Sequence, residues 1–107
     1  MAYFLVQASY TPESWSAMVR NPQNRADHSR GLIESMGGKL ESAFLAFGEY
    51  DAVLIVQLPD NVSAAALAMA VAAGRGVKSI KTTPLMTKAE GLEAMKRAGG
   101  LRYMAPS

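Results

Sequence analysis

The sequence predicts a single α+β domain in which helices cover an antiparallel sheet. Its 107 residues suffice for one hydrophobic core, and 50% of them are hydrophobic. Runs with strand character alternate with helix-like runs, and glycine, proline or a helix-capping residue marks nearly every boundary. The absence of cysteine excludes disulfides, thiolate chemistry and a Cys-based zinc site.

The first strand is predicted over Tyr3 to Ser9, a run rich in apolar and aromatic residues. The next two residues start a helix. Thr11 can cap it, and Pro12 falls at a first helical position, where its missing N–H has no cost.

A second start signal, Asn21-Pro22, lies inside the same helical segment. Proline restricts the residue before it and cannot donate within a helix. We therefore predict two helical pieces with a break between Val19 and Asn21. The second piece runs to Met36 and stops at Gly37-Gly38, where a left-handed C-cap fits.

A hairpin follows the two glycines. Its strands are predicted over Lys39 to Phe47 and Ala52 to Leu58. The four residues Gly48 to Asp51 connect them, and we expect Gly48 to supply a positive φ in the turn.

An alanine-rich helix is predicted over Val62 to Ala73, with Asp60 or Asn61 as its cap. A last strand is predicted over Val77 to Thr83. Pro84 should end that strand, because proline cannot donate to the strand ladder.

A C-terminal helix should begin at Thr87, which has capping-box spacing to Glu90, and end at Gly99-Gly100. The resulting order is βαββαβ plus a C-terminal helix, the split βαβ arrangement of a ferredoxin-like fold. We assign residues 1–98 to this domain and residues 99–107 to a tail.

The first and third predicted strands are apolar on both faces. In a ferredoxin-like domain the two helices cover one face only, so the second apolar face needs a partner. We expect a homodimer or higher homo-oligomer through that face. The alternating sets are Phe4, Val6 and Ala8 against Tyr3, Leu5 and Gln7, and Leu54, Val56 and Leu58 against Val53, Ile55 and Gln57.

Several segments, in order, resemble the GYD domain family over about residues 3–95. They are YTPESW, NPQNR, LIESMGGKLES, GEYD followed by AVLIVQLPD, and KTTPLMT. The tripeptide that names the family is interrupted here, as Gly48-Glu49-Tyr50-Asp51. The resemblance implies a dimeric α+β barrel, in which ferredoxin-like domains pair through their sheets. It implies no catalytic residue.

His28 is the only histidine and the first candidate for acid–base chemistry. Helical spacing places it on one stripe with Asn21 and Arg25. Trp15 lies on the preceding helical piece, and together these groups could converge on a ligand between the first helix and the sheet. The alternative is a surface histidine on a polar helix edge.

Glu49 and Asp51 lie two residues apart, so a strand would place both on one face and their repulsion would raise one pKa. Such a pair suits general acid catalysis, with Tyr50 facing the other way as a ligand contact. The alternative is a solvated hairpin turn. No metal-ligand spacing is present, so we predict no metal site and no cofactor.

Charge is unevenly distributed. Residues 75–102 hold seven basic and two acidic residues (+5), and the remainder holds four basic and seven acidic ones (−3). The basic end lacks the interleaved aromatic residues of a nucleic-acid groove, and the third strand, AVLIVQL, has nothing on which to stack a base. We therefore expect no nucleic-acid partner.

The N-terminal sequence MAYFLVQASY lacks the features of a signal peptide, which favours the cytoplasm. The longest apolar tract is shorter than the roughly 20 residues that span a bilayer, so we expect no membrane association.

The functional hypothesis is binding of a small organic molecule in a cleft between the first helix and the sheet. Whether the chain is an enzyme stays open. An enzyme would carry out cofactor-independent chemistry on an aromatic or carbonyl compound, using His28 or the pair Glu49 and Asp51. The alternative is a non-catalytic assembly or regulatory module.

Overall fold

The computed structural model describes residues 1–25 and 27–107. Four strands form one antiparallel sheet in the order β2-β3-β1-β4. This order, with helices after the first and third strands, confirms the predicted ferredoxin-like α+β fold. The strands are β1 (Ala2–Tyr10), β2 (Lys39–Leu45), β3 (Ala52–Leu58) and β4 (Val77–Leu85), and the helices are α1 (Pro12–Arg20), α2 (Arg25–Ser35), α3 (Asn61–Ala73) and α4 (Lys88–Gly99).

The core lies between one sheet face and the helices α2 and α3. Phe4 of β1 is paired with Val56 of β3, and both are buried. Ile33 of α2 and Leu67 of α3 pack against them from above. The alternate residues of β1 and β3 therefore divide as expected from a two-residue period, with one set in the core and the other on the opposite face. We call that opposite face the open face.

The predicted break in the first helical segment is confirmed. Thr11 caps α1 by accepting a hydrogen bond from the Ser14 N–H at 3.1 Å, and α1 ends at Arg20. The second piece begins at Arg25, later than the Asn21-Pro22 signal suggested, because residues 21–24 form a non-helical connection. It ends at Ser35, and Gly37 adopts the left-handed conformation with φ of 80°.

Four strand boundaries differ from the prediction. Strand β1 is one residue longer at each end than the predicted Tyr3 to Ser9. Strand β2 ends at Leu45 instead of Phe47, and β4 continues through Pro84 to Leu85. Proline is tolerated there because β4 is an edge strand with β1 as its one neighbour, so the position without an N–H can face outward. The expectation that Pro84 ends the strand was therefore wrong.

The hairpin between β2 and β3 also closes differently. The Ala46 N–H donates to the Asp51 carbonyl oxygen at 2.6 Å. Gly48 does not take a positive φ, which among the described residues occurs at Gly37 and at Arg75 (φ 61°). A six-residue connection does not need the two-residue turn geometry that would have required it.

Helices α3 and α4 begin at the predicted caps. The Asp60 carboxylate accepts from the Ser63 N–H at 2.8 Å, and Thr87 and Glu90 form a reciprocal capping box. None of these helices is long and apolar enough to cross a membrane, as judged over the described residues.

Helix α4 lies apart from the rest of the domain. It has no buried residue, and among the described residues no other element packs extensively against it. The radius of gyration is 17.1 Å, against about 13 Å for a compact chain of this length. The molecule therefore has a compact body of residues 1–85 and an extended C-terminal arm, residues 86–107.

Candidate ligand-binding cleft

A cleft of about 310 Å³ opens between the α1–α2 connection and the core side of strands β2 and β3. We call it the Trp15 cleft. It occupies the place predicted from the sequence, between the first helix and the sheet. Its lining residues are Tyr10, Trp15, Met18, Val19, Pro22, Gln23, Asn24, Arg25, Ser29, Ala43, Phe44, Leu45, Ala52 and Leu54.

One end of the Trp15 cleft is formed by an aromatic pair. Tyr10 is the last residue of β1, and Trp15 lies in the first turns of α1. Their rings meet edge to face, with centroids 5.4 Å apart and planes at 82°. Because each ring restricts the other, this wall of the cleft is fixed before any ligand arrives.

Asp51 holds the aromatic pair in place. Its Oδ2 accepts one hydrogen bond from the backbone N–H of Tyr10 at 2.9 Å and another from the indole Nε1–H of Trp15 at 3.3 Å. The Asp51 backbone N–H donates to the Ala8 carbonyl oxygen at 2.9 Å. The hairpin thus fastens the end of β1 and the start of α1 at one point.

The Tyr10 hydroxyl lies in an environment that favours its neutral form. Burial raises the pKa of Tyr10, with Arg25 opposing the shift through its positive charge and Asp51 adding to it. The hydroxyl therefore stays protonated at neutral pH, able to donate or accept a hydrogen bond.

Arg25 supplies the only formal charge on the lining. The lining residues include no aspartate, glutamate or lysine, within the part of the chain that the structure describes. The two ion pairs found among described residues are Lys39 with Glu41 and Arg97 with Glu93, both elsewhere. The cleft is therefore largely apolar, with a few neutral polar side chains and one cationic corner.

A second cleft of about 390 Å³ adjoins the first, between α1 and α3. Four residues line both clefts: Tyr10, Met18, Gln23 and Arg25. The second cleft is walled on its far side by Val71 and by the chain around Gly74. Arg25 thus lies where the Trp15 cleft and the second cleft meet.

The residues predicted for a site are separated by the structure into two groups. Trp15 and Arg25 line the Trp15 cleft, and Asp51 reaches it through its bond to Trp15. Asn21 is exposed and uses its backbone, the N–H donating to the Ala17 carbonyl at 3.0 Å.

His28, Glu49 and Tyr50 lie outside both cleft linings. His28 and Glu49 are exposed, and Tyr50 is partly buried. Glu49 contributes its carbonyl oxygen, which accepts from the Ser9 hydroxyl at 2.9 Å. Catalytic roles for His28, Glu49 and Asp51 stay predictions. The described residues contain no group of three or more His, Asp or Glu side chains placed to hold a metal ion.

Tyr10, Met18 and Leu54 are cleft residues that sequence reasoning did not single out. For Tyr10 a signal was present, because the two-residue period of Phe4, Val6 and Ala8 continues to it. For Met18 there was none, since a methionine on an amphipathic helix is typical of ordinary core packing.

Comparison with protein families gives one assignment. The family model described as "GYD domain" matches residues 4–95. The chain belongs to the GYD domain family. That match contains both strands and both helical pieces that surround the Trp15 cleft, and no curated protein matches this GYD domain.

A solved structure is similar to this GYD domain in fold. The crystal structure of FFRP-DM1 superposes with a TM-score of 0.53 and 10% sequence identity, covering 80% of this chain and 100% of that one. At that identity the likeness concerns the fold alone, and it agrees with the ferredoxin-like topology described above.

Proposed function

We propose that this GYD domain binds a small, largely apolar organic molecule in the Trp15 cleft. The observation that carries the proposal is the fixed aromatic end wall, in which Asp51 holds Tyr10 and Trp15 at the mouth of an otherwise apolar cleft. A hydrogen bond to Asp51 orders the Trp15 indole, the Tyr10 ring meets that indole edge to face, and both side chains remain partly exposed at the cleft.

The size and chemistry of the cleft suit such a ligand. Its volume of about 310 Å³ lies at the lower end of the range, about 300–1,000 Å³, that is typical of small-molecule sites. Met18 and Leu54 offer apolar contact along its length, and Gln23 and Ser29 offer polar groups at its edge. A ligand buried here would gain about 25 cal/mol per Å² of apolar surface removed from water.

The same lining favours binding over acid–base catalysis. Among the described residues, no carboxylate and no imidazole lines the cleft, and the Tyr10 hydroxyl is held neutral by burial. Cofactor-independent catalysis would need His28 or Glu49 to reach a ligand that extends beyond the cleft. Binding therefore has the stronger support.

The sole tryptophan gives a direct test. In a ¹⁵N-labelled sample, Trp15 contributes one indole N–H signal, and this proton is bonded to Asp51 at the cleft wall. Titration with 2-naphthylacetamide, a neutral apolar probe, should shift that signal in a saturable way. Failure of the signal to move up to the solubility limit of the probe would count against the proposal.

Two variants test whether the probe binds in the Trp15 cleft. Ala52→Phe adds a ring to the cleft lining and should abolish saturable binding, because the ring takes the space of the probe. Ala65→Phe makes the same change on the exposed surface of α3, outside both clefts, and should bind like the unaltered protein. Thermal unfolding of both variants verifies that they fold.

We also propose that a second copy of the chain covers the open face of the sheet. The open face carries Leu5, Val53 and Ile55, which are partly exposed. It also carries Phe44, which is paired with Val53 at the border of the Trp15 cleft and whose exposed fraction is 68%. The C-terminal arm adds Leu92 and other large apolar side chains that its own domain leaves in solvent. Apolar surface of this extent is typical of an interface.

A further inference from the structure

We propose that the ligand of the Trp15 cleft is an apolar anion, such as an aryl or alkyl carboxylate, whose acidic group pairs with Arg25. This inference rests on the proposed function, since it concerns the ligand class of the same cleft. It starts from the contrast between an apolar lining and a single cation at its corner.

Arg25 forms no ion pair among the residues that the structure describes. Its backbone carbonyl accepts from the Ser29 hydroxyl at 3.2 Å, but its guanidinium takes part in neither of the ion pairs found among the described residues. No acidic residue shares the lining with it. A ligand anion would give this guanidinium the bidentate partner that its planar geometry favours.

The Arg25 guanidinium lies near the aromatic end wall, since Arg25 and Tyr10 together line both clefts. Its positive charge opposes the rise in the pKa of Tyr10 and outweighs the smaller, opposite contribution of Asp51. An anion held by Arg25 would therefore lie beside the neutral Tyr10 hydroxyl, which can donate a hydrogen bond to it. The apolar part of the ligand would then extend along Met18 and Leu54.

The charged groups at this end of the cleft disfavour a cationic ligand. The one carboxylate there, Asp51, is not part of the lining, and its Oδ2 already accepts two hydrogen bonds, from the Tyr10 N–H and the Trp15 indole. An ammonium ligand would lie close to the positive charge of Arg25 with no free carboxylate to pair with, and the repulsion between like charges would weaken its binding. The cleft is built to accept an anion and to disfavour a cation.

The test compares two probes of nearly the same shape, the anion 2-naphthylacetate and its neutral amide 2-naphthylacetamide, each followed by the Trp15 indole signal. The acetate should bind about tenfold more tightly at low ionic strength, because a charge-assisted hydrogen bond replaces a neutral one. The preference should shrink in high salt, since Arg25 is exposed.

Variants assign the preference to one residue. Arg25→Gln should bind the two probes with similar dissociation constants, by weakening the acetate alone. Arg30→Gln removes the same charge from an exposed position of α2 outside both clefts and should keep the preference.

The outcomes separate this inference from the proposed function. Equal affinity of the unaltered protein for both probes would overturn the anion preference while leaving small-molecule binding in place. Loss of the preference in Arg30→Gln as well would overturn the role of Arg25. Binding of neither probe would overturn the proposed function itself and this inference with it.

Discussion

At the scale of single residues, Asp51 explains why an acidic and aromatic group interrupts the hairpin before the apolar run of β3. Its carbonyl oxygen closes the hairpin by accepting from the Ala46 N–H, and its own N–H donates to Ala8 of β1. Its carboxylate accepts from the Tyr10 N–H and the Trp15 indole. A turn alone would need none of the carboxylate's bonds. The same residue therefore serves the fold and the cleft wall.

Replacing Asp51 by alanine should lower the free energy of unfolding by about 1–3 kcal/mol, because the partly buried Tyr10 N–H and the Trp15 indole lose their acceptor. Trp15 fluorescence should shift to the red as the indole meets water. Asp51→Asn is the matched control, since its amide oxygen can still accept both bonds. Unchanged stability and fluorescence in Asp51→Ala would contradict this role.

Gly38 is a second residue whose identity the packing requires. A Cβ there would lie 2.5 Å from the Gln57 carbonyl oxygen and 2.8 Å from Leu58 Cδ2. Gly38→Ala should therefore destabilise the domain by about 1–3 kcal/mol through overpacking. Chemical denaturation measures the change.

Gly31 provides the comparison for Gly38. It lies within α2 and an added Cβ would meet nothing within 4 Å, so Gly31→Ala should stabilise by about 0.5–1 kcal/mol through helix propensity. If the two substitutions changed stability in the same direction and by the same amount, the packing explanation for Gly38 would be wrong.

At the scale of elements, local chemistry predicted most helix ends. Three helices begin at the caps predicted for them. Thr11, followed by Pro12, caps α1; Asp60 caps α3; and Thr87 forms a capping box with Glu90 at the start of α4. These signals are local, because a cap bonds to a backbone N–H two or three residues away. Prediction from sequence succeeds where the interaction partners are neighbours in the chain.

The helix and strand ends that were predicted wrongly depend on residues that are distant in the sequence. Whether Pro84 ends β4 depends on β4 being an edge strand, which the sequence around Pro84 does not encode. The start of α2 at Arg25 depends on the connection, residues 21–24, that borders the Trp15 cleft. Tertiary packing decided these boundaries, and local sequence signals did not.

The cap of α3 gives a prediction on pH. Hydrogen bonds from Ser63, chiefly its backbone N–H, lower the pKa of Asp60 below its usual value of 3.8. A group with a lowered folded-state pKa stabilises above the unfolded pKa, and that stability is lost as pH falls through the folded value. Asp60→Ala should therefore lower the melting temperature at pH 7, with a difference that shrinks below about pH 4.

Asp60→Asn is the control for this cap, because asparagine caps a helix without a titrating charge. Its melting temperature at pH 7 should stay near that of the unaltered protein. A gap between Asp60→Ala and the unaltered protein that persists undiminished to pH 2 would show that the carboxylate charge is not what stabilises α3.

At the scale of the whole molecule, the sheet topology could be predicted from the sequence, whereas the geometry of the Trp15 cleft could be predicted only in part. The order of strands and helices, read with the split βαβ pattern, leads to one sheet arrangement. Trp15, Arg25 and Asp51 were predicted to lie near one cleft, and they do. The sequence did not indicate the hydrogen bond between Trp15 and Asp51, which joins positions 36 residues apart. His28 was predicted from its chemistry and from its helical spacing to Asn21 and Arg25, but it is exposed and lies outside both clefts.

The apolar open face yields a prediction about assembly. Light scattering should show at least a dimer at micromolar concentration. Val53 lies on the open face, opposite Gln7 and Phe44, so Val53→Asp should dissociate or unfold the protein because a buried, unpaired charge costs several kcal/mol. Ala65→Asp, on the exposed surface of α3, should leave the assembly intact. A stable monomer of the unaltered protein would contradict the proposed interface.

The central claim is that the Trp15 cleft holds an apolar ligand, and intermolecular nuclear Overhauser effects locate a bound ligand most directly. With 2-naphthylacetate bound, the naphthyl protons should show contacts to the methyl groups of Met18 and Leu54, which line the cleft from α1 and β3. Contacts to methyl groups of Met95 on the C-terminal arm or of Ile55 on the open face, with none to Met18 and Leu54, would place the ligand elsewhere and contradict the claim.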